Sequence, residues 1–573
     1  MSSPTSPDRA RDLPALLGAW AERMPDAVAI DEWDYRTHPN GSRTPTTWRD
    51  YHGRARAVGA WLQRRVAPGE PVAVLAGQGA DYLVAFLGAL RAGVIAVPLF
   101  TPDLPGHDDR LASTLRDCGA RTVLTTQSSA ESVAAFLRAN DLPDDRVICV
   151  DTLPAAIGAH FDPVRLDPDA VAYLQYTSGS TGNPRGVMVT HANVVANARQ
   201  AAAAYGAHHG TTTVSWLPLF HDMGLMLSVG APLLSGLRTV IMDPLAFIER
   251  PERWLRALSA NPGAISAAPS FAYAYCASRV TDWDKARLRL DGVITLIDGS
   301  EPEPKSAVER FRVAFAPCGL RPAAHRPSYG LAEATVLVTA STAPTTRSFY
   351  RAALAPGSLV EPDPDAPDPM RVVSCGVPIG QEVLVVDRAT RKPCPDGRVG
   401  EVWVSGPNVA VGYWGRPLET AAAFGNELAD GGGRWLATGD LGVVVDGELH
   451  ITGRIKDLIV VDGRNHYPHD VERTAETSHA AIRPRNTAAF SVIGPDGETA
   501  VVLAEWARSV TEPDSADVAA AVRAAVARRH GLTLRDVVLV PPDSLPRTSS
   551  GKISRTACRD RYLAGALTAV ATA

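Results

Sequence analysis

The 573-residue sequence predicts an α/β protein: a large N-terminal body of mostly parallel sheets flanked by helices, an antiparallel barrel-like subdomain, and a small mobile α+β C-terminal lid. Three observations predict it. Between Pro71 and Leu99 a β-like run (PVAVLAG), a helical run (YLVAFLGALRAG) and a second β-like run (VIAVPL) alternate, which is βαβ patterning. After about residue 370 the texture changes to short, closely spaced strands. At roughly 100 to 200 residues per domain, the length is too great for one core.

The body comes first. The βαβ alternation continues through RTVLTT and RVICVD, and further β-like runs stand at Val171 to Tyr176, Thr239 to Met242 and Val293 to Ile297, with helical segments between them. The antiparallel part is read from EVLVVD, GEVWVSG, LGVVVD and LHITG, the last two joined at Asp446-Gly447, a hairpin-turn dipeptide. From about Leu458 strands (TAAFSVI, AVVLAEW, DVVLVPP) mix with a helix over Asp517 to His530, stopped by Gly531. The expected boundaries are therefore a body over 1–453 with an inserted segment about 343–372, a hinge over 454–457 and a lid over 458–573. EPDPDAPDPM and the Ala-rich tail read as exposed loop and terminus.

Composition narrows the function classes. With 45% hydrophobic and 21% charged residues the chain has ample apolar surface for cores. A net charge of -5 and a pI near 6.3 offer no basic excess to displace counterions, so no nucleic-acid partner is expected. The seven cysteines are dispersed, without the CxxC spacing of a zinc site, and read as reduced thiols of a cytoplasmic protein. The polar, mixed-charge start predicts no secretory leader. The longest apolar-leaning stretch, Met223 to Leu237, is short of the roughly 20 residues that span lipid, so no membrane span is expected.

The most informative run is YLQYTSGSTGNPRGVMVTH, in which a β-like segment feeds a Ser/Thr/Gly loop over Thr177 to Gly186. Small residues let backbone N–H groups close on phosphate oxygens; a flexible linker has the same composition. It is not GxxxxGK[ST]. TSGSTGNPRG resembles the phosphate loop of the acyl-adenylate-forming superfamily, which includes acyl-CoA synthetases, luciferases and peptide-synthetase adenylation domains. Further runs resembling that family follow in its order as far as residue 552, spanning about two thirds of the chain.

The resemblance implies ATP and Mg2+ as cofactors and assigns residues to them. Thr177, Ser178, Gly179, Ser180, Thr181, Gly182 and Arg185 would cradle phosphates, with Thr177 also near the metal. SYGLAEAT is similar to the adenine and magnesium motif, giving Tyr329 and Gly330 to the base and Glu333 to the ion. DGSEP resembles the turn around the adenine, with Gly299, Ser300 and Glu301. WLATGDLG places Asp440 where the family binds ribose, a fit for a carboxylate that accepts from both hydroxyls. GRIKDLI resembles the hinge, with Arg454 on the ribose and Lys456 at the pivot, and LPRTSSGKISR makes Lys552 the catalytic cation. Arg185 departs from the family's usual lysine, and a guanidinium fork is not a point charge.

Three features are similar to one branch, the fatty acyl-AMP ligases. SWLPLFHDMGLM resembles its acyl-gate motif, with His221, Met223 and, further along, Phe271 at the acyl pocket. The stretch between Thr335 and Gly376 is long, as though it carried that branch's insertion; SFYRAALAPGSLVEPDPDAPDP holds aromatic and apolar residues able to dock on the body, where it would restrain lid rotation, and a disordered surface loop is the other reading. Arg464-Asn465-His466 stands where coenzyme A ligases have a Gly-Gly-Glu-Asn-like turn. The branch implies a fatty acid substrate and, as acceptor, the phosphopantetheine thiol of an acyl carrier protein. The rival readings are an acyl-CoA synthetase, an adenylating enzyme for an aryl or amino acid (Asp222 sits near the amine-binding position) and a non-catalytic nucleotide-binding module.

Overall fold

The computed structural model describes residues 12–104, 106–177, 184–299, 305–343, 345–351, 354–363, 365, 369–461, 464–494, 497–511, 513–548 and 551–567. Among them, two sheets carry the N-terminal body. One has six strands in the order Val147–Cys149, Thr122–Thr125, Pro71–Val74, Ile95–Pro98, Val171–Thr177, Arg185–Thr190. All its neighbours are parallel except the last pair. The other has nine, with a parallel centre from His325–Gly330 through Thr295–Asp298, Ala264–Ala268, Thr212–Ser215 and Arg238–Met242 to Val28–Asp34, and antiparallel strands at both edges. Central parallel strands are buried on both faces, which is why runs such as AISAA and TLID are buried throughout.

The expected βαβ unit forms over Pro71–Pro98, its helix Ala80–Ala92 closing on Gly93 at φ 76°, a left-handed stop that glycine adopts without cost. That helix is buried along nearly its whole length and joins Trp48, Leu16 and Leu17 in the largest core. The antiparallel part is an open five-stranded sheet ordered Lys392–Pro393, Glu382–Asp387, Gly400–Ser405, Leu436–Val445, Glu448–Arg454. Asp446 and Gly447 both take positive φ, 53° and 77°, the type I′ geometry that the dipeptide foretells.

Beyond Arg454 the chain builds a separate set of elements with hydrophobic clusters of its own. The strands Ile482–Gly494, Gly497–Trp506 and Leu534–Val540 form a sheet against the helices Pro468–Ser478 and Ser515–His530. The second helix starts two residues earlier than the apolar pattern suggests, because the Asp514 side chain accepts from the N–H groups of Ala516 and Asp517. No described helix is long and apolar enough to cross a membrane.

The segment between Thr335 and Gly376 is docked in its described parts. Thr346–Tyr350 pairs antiparallel with Pro369–Val373, and Phe349, Leu354, Val360 and Met370 are buried with Leu441 and Val443 of the five-stranded sheet and with Tyr467 of the C-terminal unit. Arg351 adds an ion pair to Asp470, whose side chain is 4% exposed. The aromatic and apolar residues of the segment thus dock as their type suggests, and the disordered-loop reading fails for its described parts, while Glu361, Pro362 and Asp363 of the Pro/Asp-rich run stay exposed.

Candidate active site

Every described residue that the sequence places in the site lines one cavity of ≈ 2580 Å³: Thr177, Arg185, His221, Met223, Phe271, Gly299, Tyr329, Gly330, Glu333, Asp440, Arg454, Lys456 and Lys552. Ser178, Gly179, Ser180, Thr181, Gly182, Ser300 and Glu301 fall outside the described residues.

The Ser/Thr/Gly loop joins two antiparallel strands in register at Thr177 and Arg185. Its frame is braced from outside. Arg416 donates to the Pro184 carbonyl at 3.3 Å and pairs with Asp117 at 2.6 Å, and Asp117 accepts from the Tyr176 hydroxyl at 2.6 Å. Arg185 itself pairs through Nε with Glu419 at 2.8 Å and lies over the Tyr413 ring at 5.5 Å. Tyr413 in turn donates its hydroxyl to Glu333 Oε1 at 2.8 Å. Burial and the neighbouring Glu333 charge push the Tyr413 hydroxyl well above the usual phenol range, so it stays a donor.

Elsewhere on the cavity wall, the pairing of Leu436–Val445 with Glu448–Arg454 sets Asp440 opposite Arg454. One oxygen of Asp440 accepts from the Tyr329 hydroxyl at 2.7 Å and the other faces Arg454 Nε at 2.9 Å. Each carboxylate oxygen has a second lone pair, so the group still accepts from a ligand's hydroxyls. The Asp440 charge holds the Arg454 guanidinium above its usual range.

The apolar end begins at His221, whose Nδ1 lies 2.7 Å from Asp222 Oδ1; the same oxygen accepts the Met223 N–H at 2.6 Å. Burial pushes the Asp222 carboxyl up. The His221 charge and hydrogen bond, the Met223 N–H and the Lys552 charge outweigh that and hold it below the usual carboxylate range. Beyond this pair the wall is Met223, Met226, Leu227 and Phe271 with Tyr205 and Ile265.

Lys552 enters from the C-terminal unit on a tight turn. The Thr548 N–H donates to the Lys552 carbonyl at 2.7 Å, Gly551 takes φ 81°, and Arg547 Nη1 donates to the Gly551 carbonyl at 2.9 Å. Lys456, in the short 3-10 turn Ile455–Asp457, is exposed on the cavity wall; desolvation by the protein around it and the Arg454 charge lower its ammonium below the usual range. Beside it Arg555 bridges Asp457 at 3.1 Å and Glu472 at 2.6 Å.

The arrangement sets hard oxygen donors and cations at one end of a cavity and thioether and aromatic carbons at the other. No group of three or more His, Cys, Asp or Glu gathers as a metal nest among the described residues. One carboxylate and one hydroxyl, Glu333 and Thr177, are what a Mg2+ ion accepts when its other ligands are substrate phosphates and water, so the donor set fits that ion. The sequence reading missed Tyr413 and the Arg416–Asp117 brace. The run GYWGRP at Gly412 to Pro417, an aromatic and cation cluster in a turn, is the signal that could have found them.

A family model described as AMP-binding enzyme matches residues 17–414, and one described as Disco-interacting protein 2-like, AMP domain, matches residues 456–572. The chain is 43% identical to the long-chain-fatty-acid–AMP ligase FadD32 of Mycolicibacterium smegmatis, over 97% of this chain and 95% of that protein. It is 40% identical to a 4-hydroxyphenylalkanoate adenylyltransferase of Mycobacterium tuberculosis, over 96% and 91%. Among solved structures it resembles the fatty acyl-adenylate ligase of L. pneumophila in complex with acyl adenylate and pyrophosphate, at 32% identity and TM-score 0.76 over 97% of each chain.

Proposed function

The chain belongs to the AMP-binding enzymes and, among them, to the fatty acyl-AMP ligases, and from that premise we propose that it activates a fatty acid with ATP and passes the acyl group to the phosphopantetheine thiol of an acyl carrier protein. The observation that carries the reading is the convergence of Lys552 with Glu333, Asp440 and the Met223–Phe271 wall on one cavity. A fatty acid tail matches that wall, and a nucleotide matches the opposite end.

Chemically, ATP lies with its phosphates at the Thr177–Arg185 loop and its ribose on Asp440 and Arg454. Glu333 and Thr177 would hold Mg2+, which would supply neutralising charge to the pyrophosphate. Tyr413 keeps Glu333 in place through its hydrogen bond. Lys552 draws the carboxylate and the α-phosphate together, since a cation between two anions removes their repulsion and fixes the in-line approach. A carboxylate oxygen attacks the α-phosphorus, the bond to the bridging oxygen breaks, and acyl-AMP and pyrophosphate result. Asp222, kept ionised beside His221, is aligned to hold that imidazole at the pocket mouth.

For the second half, the unit from residue 458 turns about Lys456, withdraws Lys552 and admits the pantetheine arm; the thiol sulfur attacks the acyl carbon, AMP leaves, and the thiol proton goes to solvent. The described, docked parts of the 343–372 segment restrain that turn through Arg351 and Asp470. An aryl acid is a second reading, favoured by the 40% identity to an enzyme named for hydroxyphenylalkanoates.

The test is a product assay. Purified protein with ATP, Mg2+ and dodecanoic acid is offered coenzyme A or a phosphopantetheinylated carrier protein. The reading predicts acyl-AMP in both and acyl transfer to the carrier alone; efficient acyl-CoA formation contradicts it.

A further inference from the structure

The wall of the apolar end is an irregular helix. A short helix, Asp222–Leu225, runs into a π-helical turn, Met226–Gly230, and then into Ala231–Ser235, which stops at Gly236. Isolated π-turns cluster at functional sites, since the extra residue in the turn re-aims the side chains that follow. Met223, Met226, Leu227 and Ala231 of this segment line the cavity. Met223 marks its carboxylate end, with its sulfur 4.0 Å from where a Cβ on Gly299 would stand. Met226 follows about 4.5 Å further along the helix axis, at a rise of about 1.5 Å per residue.

Gly230 stands out against this wall. Its backbone, φ −62° and ψ −60°, is open to any L-residue, so no turn or positive φ calls for glycine here. What would meet a side chain is Met226: a Cβ on Gly230 would stand 2.5 Å from its terminal methyl and 3.1 Å from its sulfur, with Ala198 Cβ at 3.6 Å. Met226 is 7% exposed and packs in the core with Ala198 and Val229. It therefore has protein on its Gly230 side and the cavity on the other.

We propose that Gly230 is a specificity-determining position. By lacking a Cβ it lets the end of Met226 lie back along the π-turn, which keeps the acyl channel open beyond Met223 and admits long chains. The inference rests on the reading of this cavity as an acyl site. Its physical content is that a methyl group at 230 transfers obstruction to the channel through a flexible thioether, while the backbone stays as it is. A single methylene in an apolar pocket changes selectivity by about 10- to 200-fold.

The experiment compares the wild type with Gly230→Ala in ATP–pyrophosphate exchange driven by butanoic and by tetradecanoic acid, with ATP affinity measured in the absence of acid. The expected result is a fall of about tenfold or more in the tetradecanoate-to-butanoate ratio of kcat/KM, with ATP affinity kept. Met226→Ala in the Gly230→Ala background is expected to restore the ratio, which a general packing defect would not allow. An unchanged ratio, an equal loss for both acids, or no restoration overturns the proposal. Should Gly230→Ala lose ATP binding, Met226→Ala alone decides: the proposal requires it to raise turnover of methyl-branched acids relative to straight ones, and no rise overturns it. A wild type that binds ATP but adenylates no fatty acid from butanoic through dodecanoic to tetradecanoic acid refutes the functional reading itself, and the proposal with it; an active wild type with an unchanged ratio refutes only the role of Gly230.

Discussion

Replacing Arg351 with alanine is the perturbation that most cleanly separates docking of the lid from its folding. Arg351 follows the strand Thr346–Tyr350 of the inserted segment, and Asp470 sits in the first turn of the lid helix Pro468–Ser478; their side chains are 12% and 4% exposed. Removing one partner of a buried pair costs about 3–5 kcal/mol when the other charge is stranded. Asp470 is not stranded, for Arg473 stays at 2.9 Å and His530 at 3.8 Å. The loss is then nearer the about 1.5–3 kcal/mol of one hydrogen bond to a charged group. Because the pair joins insertion to lid, that loss falls on their contact, and at about 1.4 kcal/mol per decade the undocked population rises about 10- to 100-fold. Amide hydrogen exchange reads this directly. Residues 468–478 and 345–351 are expected to exchange faster by that factor, while the inner lid strands Ile482–Gly494 and Gly497–Trp506 keep their protection. Unchanged exchange at 468–478, or acceleration spread evenly over the lid strands, refutes the reasoning.

Three further perturbations test other parts of the site. Asp440→Ala removes the acceptor of Tyr329 and the partner of Arg454, and nucleotide titration is expected to show ATP affinity weakened about 10- to 100-fold, from about 1.5–3 kcal/mol for a charge-assisted hydrogen bond; unaltered affinity contradicts the ribose assignment. Tyr413→Phe frees Glu333 Oε1 from its donor, and the Mg2+ concentration for half-maximal pyrophosphate exchange is expected to rise about 10- to 100-fold, as loss of a ligand-orienting hydrogen bond does elsewhere; no rise removes Tyr413 from that role. Glu476 lines the lid side of the cavity, and burial, reinforced by Glu472, pushes its carboxyl up to about 7. A folded-state value above the unfolded 4.5 means the native protein holds the extra proton, so its contribution is present below that value and is lost as pH rises through about 7. The melting temperature of Glu476→Gln minus that of the wild type should therefore grow between pH 5 and pH 8, and a flat difference contradicts the burial effect.

The body's architecture was legible because parallel strands and their helices write a local alternation: PVAVLAG, YLVAFLGALRAG and VIAVPL become strand, helix and strand as read. The candidate residues could be picked out because each stands in a short contiguous run, and the fold brings Thr177, Glu333, Asp440 and Lys552 to one cavity. What escaped are the contacts between distant runs. Arg351 and Asp470 meet only once the insertion hairpin and the lid both exist, and nothing local to either announces a partner. Arg185 stood out as a guanidinium fork in place of the family's lysine, but its pairing with Glu419 and Tyr413 depends on how the Gly412–Pro417 run packs against the strand Arg185–Thr190. The π-turn at Met226–Gly230 is also invisible, since an apolar run broken by glycines fits several helical forms until its neighbours choose one.

The central claim is that the cavity makes an acyl adenylate with Lys552 as its cation. Fatty-acid-dependent ATP–pyrophosphate exchange, measured in the wild type and in Lys552→Ala alongside ATP binding to each, tests it most directly. The account predicts exchange in the wild type and a loss of about 100-fold or more in the variant, as for removal of a group that stabilises transition-state charge, with ATP still bound. Undiminished exchange in Lys552→Ala, or none in the wild type with any fatty acid, would contradict it.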